Sequence, residues 1–280
     1  MTIDYEAEYN NRARVPEHPQ IFARFEHEAA AFRAEAIDAG RAEVGLAYGG
    51  TPRQVIDLFH PAGGPSDVLS LFIHGGYWRS LDPSMFSHMA RGLTARGFSV
   101  ALAGYDLCPH VAIGDIIAEM RAAALFLWRR FGRRLMIYGH SAGGHLAACL
   151  LATDWRTYAA DVPADLVPAA AGISGLFDLT PLVGVSMNQD LRLTEAEARA
   201  ASPLFWPAPA GRTFEAWCGA LESNEFRRQN RIIAEVWTKA GVTTACLEMA
   251  GANHFTVVDP LADPASPYTE RLVALIAAMR

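Results

Sequence analysis

The stretch RRLMIYGHSAGGHLAACLL, residues 133–151, sets a serine among glycines between two apolar runs. The first run, 133–139, predicts a buried strand, and residues 142–153 have the pattern of a helix. The turn between them reads Gly-His-Ser-Ala-Gly and fits the pattern G-x-S-x-G. Between a strand and a helix, this pattern is typical of a serine nucleophile. Ser141 is therefore the candidate nucleophile, and an ordinary glycine turn is the alternative.

The glycines of this turn have a physical reason. A sharp strand-to-helix turn strains the backbone, and side chains two residues before and after the serine would collide. Gly139 and Gly143 avoid that collision, and Gly144 lets the helix lie close to its neighbours. The turn also points the start of the helix at the serine, where the N–H of Ala142 can bind a developing negative charge.

Short apolar runs alternate with helical patterns along the rest of the chain, which predicts right-handed βαβ units and a mainly parallel sheet. The predicted strands are 54–59, 68–74, 98–105, 133–139, 169–175, 213–219 and 243–250. The predicted helices are 19–39, 84–96, 113–131, 142–153, 223–240 and 266–279. We expect one α/β domain over 1–280, with an N-terminal helical segment at 1–40. Residues 179–212 are rich in proline and aromatic residues, break the alternation, and are expected to form a cap or lid.

The composition limits the class of protein. The chain has 280 residues, of which 51% are hydrophobic and 19% charged, so it can fill a sizeable core. A net charge of −6 gives no reason to expect a nucleic-acid partner. The four cysteines lie far apart without a CxxC pair and are expected to be reduced core residues. No signal peptide, transit peptide or membrane-spanning run is apparent, so we expect a cytoplasmic protein with no membrane partner.

A second glycine segment, IHGGYW at 73–78, directly follows the predicted strand VLSLF. HGG at this place matches the loop that supplies oxyanion-hole N–H groups in esterases, and glycines let the backbone turn its amides toward a substrate. We interpret His74 as structural, and a plain glycine turn is the alternative for the whole segment. The expected contributors to the oxyanion hole are the N–H groups of Gly76, Tyr77 and Ala142, with Gly75 shaping the loop. The aromatic residues expected at the pocket floor, in contact with substrate, are Tyr77 and Trp78.

A serine hydroxyl needs a base, and one histidine has the right place in the chain. His254 lies in MAGANHFTVVD, after the last predicted strand, and is the only histidine beyond residue 145. His140 and His145 flank the serine and are expected to be packing or hydrogen-bonded turn residues, with His140 also near the substrate. A metal site on that pair is not expected, because no carboxylate or cysteine lies nearby at metal spacing. We expect no metal and no other cofactor.

The acid that orients the histidine should follow the preceding strand, since the order in this kind of site is serine, acid, histidine. Glu222 lies three residues after Gly219, in the loop where this acid usually stands. Its carboxylate would fix the imidazole tautomer and stabilise the imidazolium. Asp178 and Glu225 remain as alternatives, and a solvated loop carboxylate is the non-functional interpretation of Glu222.

With these segments in place, the chain resembles the α/β-hydrolase superfamily over nearly its full length. Within it, the resemblance is to the branch of arylformamidases (kynurenine formamidases) and related hormone-sensitive-lipase-like esterases. The segments that carry it are HGGYW at 74–78, GHSAGGH at 139–145, ESNEFRRQ at 222–229 and NHF at 253–255, with YNNRARVPEHP and ASPLFW as further similarities. Formamidases of this branch have D-S-x-E-F-x-x-Q, whose first residue is the triad acid; here that position is Glu222, a glutamate in place of aspartate. The resemblance also implies that the N-terminal segment lies near the pocket mouth.

The resemblance implies hydrolysis of small acyl compounds such as formamides, other amides or aryl esters. We therefore predict a metal-independent serine hydrolase that forms an acyl-enzyme through Ser141, His254 and Glu222. The alternatives are a carboxylesterase without an amidase role, and a non-catalytic binding protein with the hydrolase fold. An acidic substrate would need an arginine in the pocket, and the candidates are Arg12, Arg14 and Arg79. Exposed apolar helices near the C-terminus could form a homodimer.

Overall fold

A computed structural model describes residues 3–279, and an eight-stranded sheet runs through the middle of that range. The strands are β1 Ala42–Ala47, β2 Val55–Phe59, β3 Leu69–Ile73, β4 Ser99–Ala103, β5 Leu135–His140, β6 Ala169–Ile173, β7 Thr213–Gly219 and β8 Thr243–Met249. Their order across the sheet is β1-β2-β4-β3-β5-β6-β7-β8. The pairs β1–β2 and β2–β4 are antiparallel, whereas all pairs from β4 to β8 are parallel. The predicted α/β class with a mainly parallel sheet is confirmed.

Helices cover both faces of the sheet. The α-helices are α1 Tyr5–Tyr9, α2 Asn11–Arg14, α3 His18–Asp38, α4 Arg91–Ala95, α5 Ile113–Phe131, α6 Ala142–Leu151, α7 Trp155–Tyr158, α8 Asn188–Leu191, α9 Glu195–Ala200, α10 Asn224–Lys239 and α11 Pro267–Ala277. Four further segments are 3₁₀ helices: Pro83–Ala90, Thr180–Gly184, Pro203–Phe205 and Thr256–Ala262.

The core is divided in two by the sheet. Along β5, Leu135 and Ile137 belong to one apolar cluster, and Met136 and Tyr138 belong to the other. Because successive side chains of a strand point to opposite faces, the two clusters lie on opposite sides of the sheet. Helices α5 and α6 complete the first cluster, and α3 and α11 complete the second. Strands buried on both faces explain why the sequence shows continuous apolar runs rather than alternation.

Two details differ from the sequence prediction. Strand β1 was not expected, because its side chains are mostly half-buried or exposed and its pairing with β2 is interrupted near Gly45, which has a φ of +71°. The helix expected at 84–96 is a 3₁₀ segment, Pro83–Ala90, followed by α4. Helix α11 packs Leu272, Leu275 and Ile276 into the core, and the expected homodimer stays a prediction.

The topology collects the loops of interest at one edge. The loops after β3, β5, β6, β7 and β8 all leave the carboxyl ends of parallel strands, which is where open α/β sheets bind ligands. Residues 179–212 lie between β6 and β7 and consist of short helical segments joined by turns. Within residues 3–279, no helix combines the length and the apolar character needed to cross a membrane.

Candidate active site

Ser141 occupies the turn between β5 and α6 in a strained conformation, with a φ of 56° and a ψ of −117°. Its N–H donates to the carbonyl of Ile173 at 2.8 Å, which ties the turn to the neighbouring strand. A β-carbon on Gly139 would overlap the carbonyl of Gly143, and one on Gly143 would overlap the carbonyl of Ile73. The expectation that larger side chains would collide at these two positions is confirmed.

Ser141, His254 and Glu222 form one hydrogen-bonded line. The Oγ of Ser141 lies 3.2 Å from Nε2 of His254, and Nδ1 of His254 lies 2.7 Å from Oε2 of Glu222. All three residues are buried, with exposed fractions of 2%, 4% and 7% for the serine, histidine and glutamate. Phe226 packs beside the imidazole, with ring centroids 4.5 Å apart, and limits its rotation. The geometry leaves Nε2 facing the hydroxyl and Nδ1 facing the carboxylate.

The carboxylate of Glu222 is held on both oxygens. Its Oε1 accepts from the hydroxyl of Ser174 and from the N–H of Gly219, each at 2.6 Å. Ser174 follows β6, is fully buried and has a φ of 52°. Two donors on one oxygen leave the other free for His254, so the carboxylate has a single orientation.

The two other carboxylates considered for this role have different partners. Asp178 accepts from the N–H and hydroxyl of Thr180, and lies 3.7 Å from Arg228. Glu225 accepts from Arg228 and from the hydroxyl of Tyr9. Of these three carboxylates, Glu222 is the one that bonds to His254 among the hydrogen bonds of residues 3–279.

The loop after β3 turns its backbone by three successive positive φ angles: 111° at Gly76, 49° at Tyr77 and 54° at Trp78. Within residues 3–279, the N–H groups of Gly76, Tyr77 and Ala142 have no backbone acceptor outside regular helix and strand pairing. Gly75 lies against the serine turn: a β-carbon there would come within 3.0 Å of the Cβ of Ser141. The loop thus lies beside the candidate nucleophile, with backbone N–H groups that have no backbone acceptor of this kind.

The placement of Trp78 corrects the sequence prediction. Its side chain is fully buried and donates from Nε1 to Nδ1 of His145 at 3.2 Å, instead of facing the cavity. The positive φ of Trp78 directs the indole inward, under the loop. The predicted contact of Trp78 with substrate is therefore wrong, and its indole instead bonds the loop to His145 of α6. Tyr77 does line the cavity.

Three buried histidines surround the site as neutral groups. Burial lowers the pKa of His140 to about 3, and the pKa values of His74 and His145 to about 4. His140 donates from Nε2 to the carbonyl of His254 at 2.8 Å and lines the cavity. His74 stacks on Tyr105 with ring centroids 4.4 Å apart, in keeping with a structural position in the loop. His145 donates from Nε2 to the carbonyl of Ala201 at 2.7 Å.

Ser141 and His254 face a cavity of about 350 Å³. Both aromatic and polar residues line it. The phenylalanines in the lining are Phe22, Phe25, Phe86 and Phe255. The polar residues in the lining include Glu6, Asn11, Arg12, Tyr77, Arg79, His140 and Asp190. Such a volume suits a small ligand.

The arginines considered for substrate binding are placed differently from one another. Arg79 lines the cavity and is paired with Asp190. Arg12 also lines it, with its guanidinium 6.0 Å above the ring of Phe22. Arg14 lies outside the cavity wall. Among the described residues 3–279, no cluster of three or more His, Cys, Asp or Glu side chains could hold a metal ion.

Two features of the site were not found from the sequence. Ser174 lies directly after a buried strand in GISG, and its polar side chain at that strand end was the available signal. The phenylalanines of the cavity lining come from α3, from the 3₁₀ segment Pro83–Ala90 and from the residue after His254. Segments so distant in the chain carry no local pattern that could have predicted their meeting.

Known proteins are similar to this chain in sequence. The BD-FAE family matches residues 56–188. The kynurenine formamidase of Danio rerio is 28% identical over 241 residues, which cover 82% of this chain and 80% of that protein. The kynurenine formamidase of Drosophila melanogaster is 28% identical over 226 residues, covering 76% of this chain and 75% of that protein.

Solved structures show the same fold over almost the whole chain. A candidate thioesterase from Silicibacter sp. TM1040 superposes with a TM-score of 0.86 at 31% identity, covering 97% of this chain and 100% of that one. Inhibited esterase B from Lactobacillus rhamnosis superposes with a TM-score of 0.66 at 17% identity, covering 93% and 98%, which is a likeness of fold.

The sheet and the serine turn at its carboxyl edge define an α/β hydrolase. The chain belongs to the α/β-hydrolase superfamily, in the branch of arylformamidase-like and hormone-sensitive-lipase-like esterases. It is a hydrolase of amide or ester bonds. The predicted family and enzyme class are confirmed.

Proposed function

We propose that this chain is a serine hydrolase that cleaves a small formamide-like amide or an ester bond through an acyl-enzyme. The observation that carries the proposal is the line from Ser141 Oγ to His254 Nε2 and from His254 Nδ1 to Glu222 Oε2, at 3.2 and 2.7 Å. A hydroxyl, a base and an orienting carboxylate in hydrogen-bond reach are the requirements for nucleophilic catalysis by serine.

In the first half of the reaction, Ser141 Oγ attacks the carbonyl carbon while His254 Nε2 takes the hydroxyl proton. The carboxylate of Glu222 stabilises the imidazolium and fixes its tautomer. The carbonyl oxygen becomes an oxyanion, bound by the N–H groups of Gly76, Tyr77 and Ala142. The tetrahedral intermediate then collapses, and His254 gives its proton to the leaving amine or alcohol.

In the second half, a water molecule gives a proton to His254 and attacks the acyl carbon. A second oxyanion forms in the same hole and collapses to release the acid, and the proton returns from His254 to Ser141 Oγ. His140 remains neutral beside His254, because burial lowers its pKa to about 3. The forming imidazolium therefore has no positive charge next to it to oppose its formation. The mechanism requires no metal.

The cavity supports an aryl group in the substrate. Four phenylalanines, Phe22, Phe25, Phe86 and Phe255, line the same cavity as Ser141, and aromatic rings pair favourably with aryl groups. The name of the relatives from Danio rerio and Drosophila melanogaster, kynurenine formamidase, supports an aryl formamide as the first substrate to test. A carboxylesterase without amidase activity is the alternative within the same chemistry.

The test is a paired hydrolysis assay with N-formylkynurenine and a short p-nitrophenyl ester, with a chelator present. We expect Ser141→Ala to lose on the order of 10⁵-fold or more in kcat, and Ser84→Ala, an exposed serine bonded to Asp82, to match the wild type. Formamide cleavage lost in Ser141→Ala supports an arylformamidase, and ester cleavage alone supports the carboxylesterase. Near-full activity in Ser141→Ala, or loss of activity on adding the chelator, would contradict the mechanism.

A further inference from the structure

The oxyanion loop has a conformation that needs outside support. Tyr77 and Trp78 are non-glycine residues with φ angles of 49° and 54°, next to Gly76 at 111°. Such left-handed residues persist only where surrounding contacts hold them. The indole of Trp78 is held from below by His145. The support for Tyr77 comes from a different part of the chain.

The hydroxyl of Tyr77 is bonded to the N-terminal residues. It donates to the carbonyl of Tyr9 at 2.7 Å and accepts from Nδ2 of Asn11 at 3.2 Å. Burial raises the pKa of Tyr77 above its ordinary value, so the hydroxyl keeps the proton that it donates. Asn11 itself is buried. Both of the hydroxyl's partners therefore lie in the segment 4–14, which we call the N-terminal clamp.

The N-terminal clamp is in turn fixed to the start of α10. The hydroxyl of Tyr9 donates to Oε2 of Glu225 at 2.9 Å and accepts from Nε2 of Gln229 at 3.0 Å. The carboxylate of Glu8 accepts from the N–H of Glu225 at 2.9 Å. Glu225 lies three residues after Glu222 in the chain. The clamp thus joins the oxyanion loop to the element that follows the triad acid.

We propose that the N-terminal clamp sets the oxyanion hole, with the Tyr77 side chain as the positioning residue for the Tyr77 N–H. The inference rests on the proposed function, since it assigns a task within that reaction. An oxyanion donor is effective only at about 2.7–3.1 Å from the developing charge. Because the ring and the N–H belong to one residue, fixing the hydroxyl restricts rotation of the peptide that carries the donor. Without the hydroxyl bond, the loop keeps its glycines but loses the contact that selects the donor orientation.

The test variants remove the contact from either side. Tyr77→Phe deletes the hydroxyl, and Asn11→Ala deletes one of its partners. The matched control is Tyr48→Phe, which also removes a tyrosine hydroxyl that donates to a main-chain carbonyl, that of Gly104 at 2.6 Å, and which lies outside both the clamp and the cavity wall. Concentrations of active enzyme are set by titration with a fluorophosphonate that labels Ser141. This step separates a loss of folded protein from a loss of rate.

The decisive measurement compares KM for a p-nitrophenyl ester with Ki for a trifluoromethyl ketone. Ser141 Oγ adds to the ketone carbon, its proton passes to His254, and the ketone oxygen becomes the oxyanion. We expect Tyr77→Phe to lower kcat about tenfold and to raise Ki by the same factor, while KM stays unchanged. Asn11→Ala should show smaller changes of kcat and Ki in the same directions. The double variant should have no lower kcat than Tyr77→Phe alone, because both changes remove the same contact.

A merely structural contact would lower the melting temperature without changing the ratio of Ki to KM. If that ratio stays within about twofold of the wild type in Tyr77→Phe, the proposal is overturned, while the serine mechanism stands as long as Ser141→Ala is inactive. If Tyr77→Phe does not fold, Asn11→Ala decides by the same ratio. An active Ser141→Ala would instead refute the proposed function itself.

Discussion

Replacing Glu222 by glutamine exchanges one carboxylate oxygen for an NH₂ group and so tests the proposed role of the carboxylate. Oε1 of Glu222 accepts from Ser174 and from the N–H of Gly219, so the amide oxygen of a glutamine would take that place. The amide NH₂ would then face Nδ1 of His254. Because an NH₂ group only donates, Nδ1 would become the acceptor and the proton would move to Nε2. A protonated Nε2 cannot take the proton of Ser141.

The expected loss follows from that tautomer change. A tautomer reversed in this way costs about 10⁴-fold in kcat, or about 5.5 kcal/mol of transition-state stabilisation. The variant should remain folded, because glutamine has nearly the shape of glutamate and keeps the bonds from Ser174 and Gly219. The assay is kcat with a p-nitrophenyl ester, corrected for active sites, beside a thermal unfolding scan.

Asp178→Asn is the matched control, because it makes the same chemical change at the other strand-end carboxylate, whose partner is Thr180. We expect its kcat to stay within about twofold of the wild type, as for a residue outside the reacting line. The nitrogen chemical shifts of His254 should report protonation at Nε2 in Glu222→Gln and at Nδ1 in the wild type. A Glu222→Gln enzyme with more than a tenth of wild-type kcat would refute the reasoning, as would an equal loss in Asp178→Asn.

Three further predictions concern the support of the site. Ser174→Ala removes one of two donors to the Glu222 carboxylate and should lower kcat about tenfold, measured against an unchanged KM. Burial lowers the pKa of His145 to about 4, whereas an unfolded histidine has a pKa of about 6.5. Between these pH values the unfolded chain binds one more proton than the folded chain, so the free energy of unfolding falls as the pH drops from 6.5 to 4. His145→Gln should reduce that slope by up to about 1.4 kcal/mol per pH unit in urea unfolding, and an unchanged slope would contradict the assignment. Gly143→Ala should destabilise the fold by roughly 1–3 kcal/mol, because its β-carbon would overlap the Ile73 carbonyl; Gly184→Ala, which meets open space, should not.

Much of the fold could be predicted because the information is local. Strands β3 and β5 are buried on both faces, so their residues are continuously apolar and their bounds differ from the prediction by one or two residues. The serine turn is equally local, since its glycines serve contacts within the turn and with β3. His254 could be chosen because no other histidine follows residue 145.

What could not be predicted depends on the direction of side chains and on distant contacts. The sequence does not show to which side of the loop Trp78 points, because that depends on its φ of 54°. Strand β1 has too little burial to leave an apolar run. The bonds of Tyr9 with Glu225 and Gln229 join residues that are 216 and 220 positions apart in the sequence. Neither segment carries a local pattern from which its contact with the other could be predicted.

The bond between Tyr9 and Glu225 spans 216 residues of sequence, and this has a consequence for the order of synthesis. A ribosome makes the clamp, the oxyanion loop and Ser141 first, and the residues Glu222, Glu225 and His254 late. Because domains fold as units once their chain has emerged, α1 can form its bonds with α10 only after residues 224–239 have been made. A growing chain therefore carries the proposed nucleophile, Ser141, before the proposed acid and base and before the helix that holds the clamp, and the proposed reaction can begin only after His254 has been made.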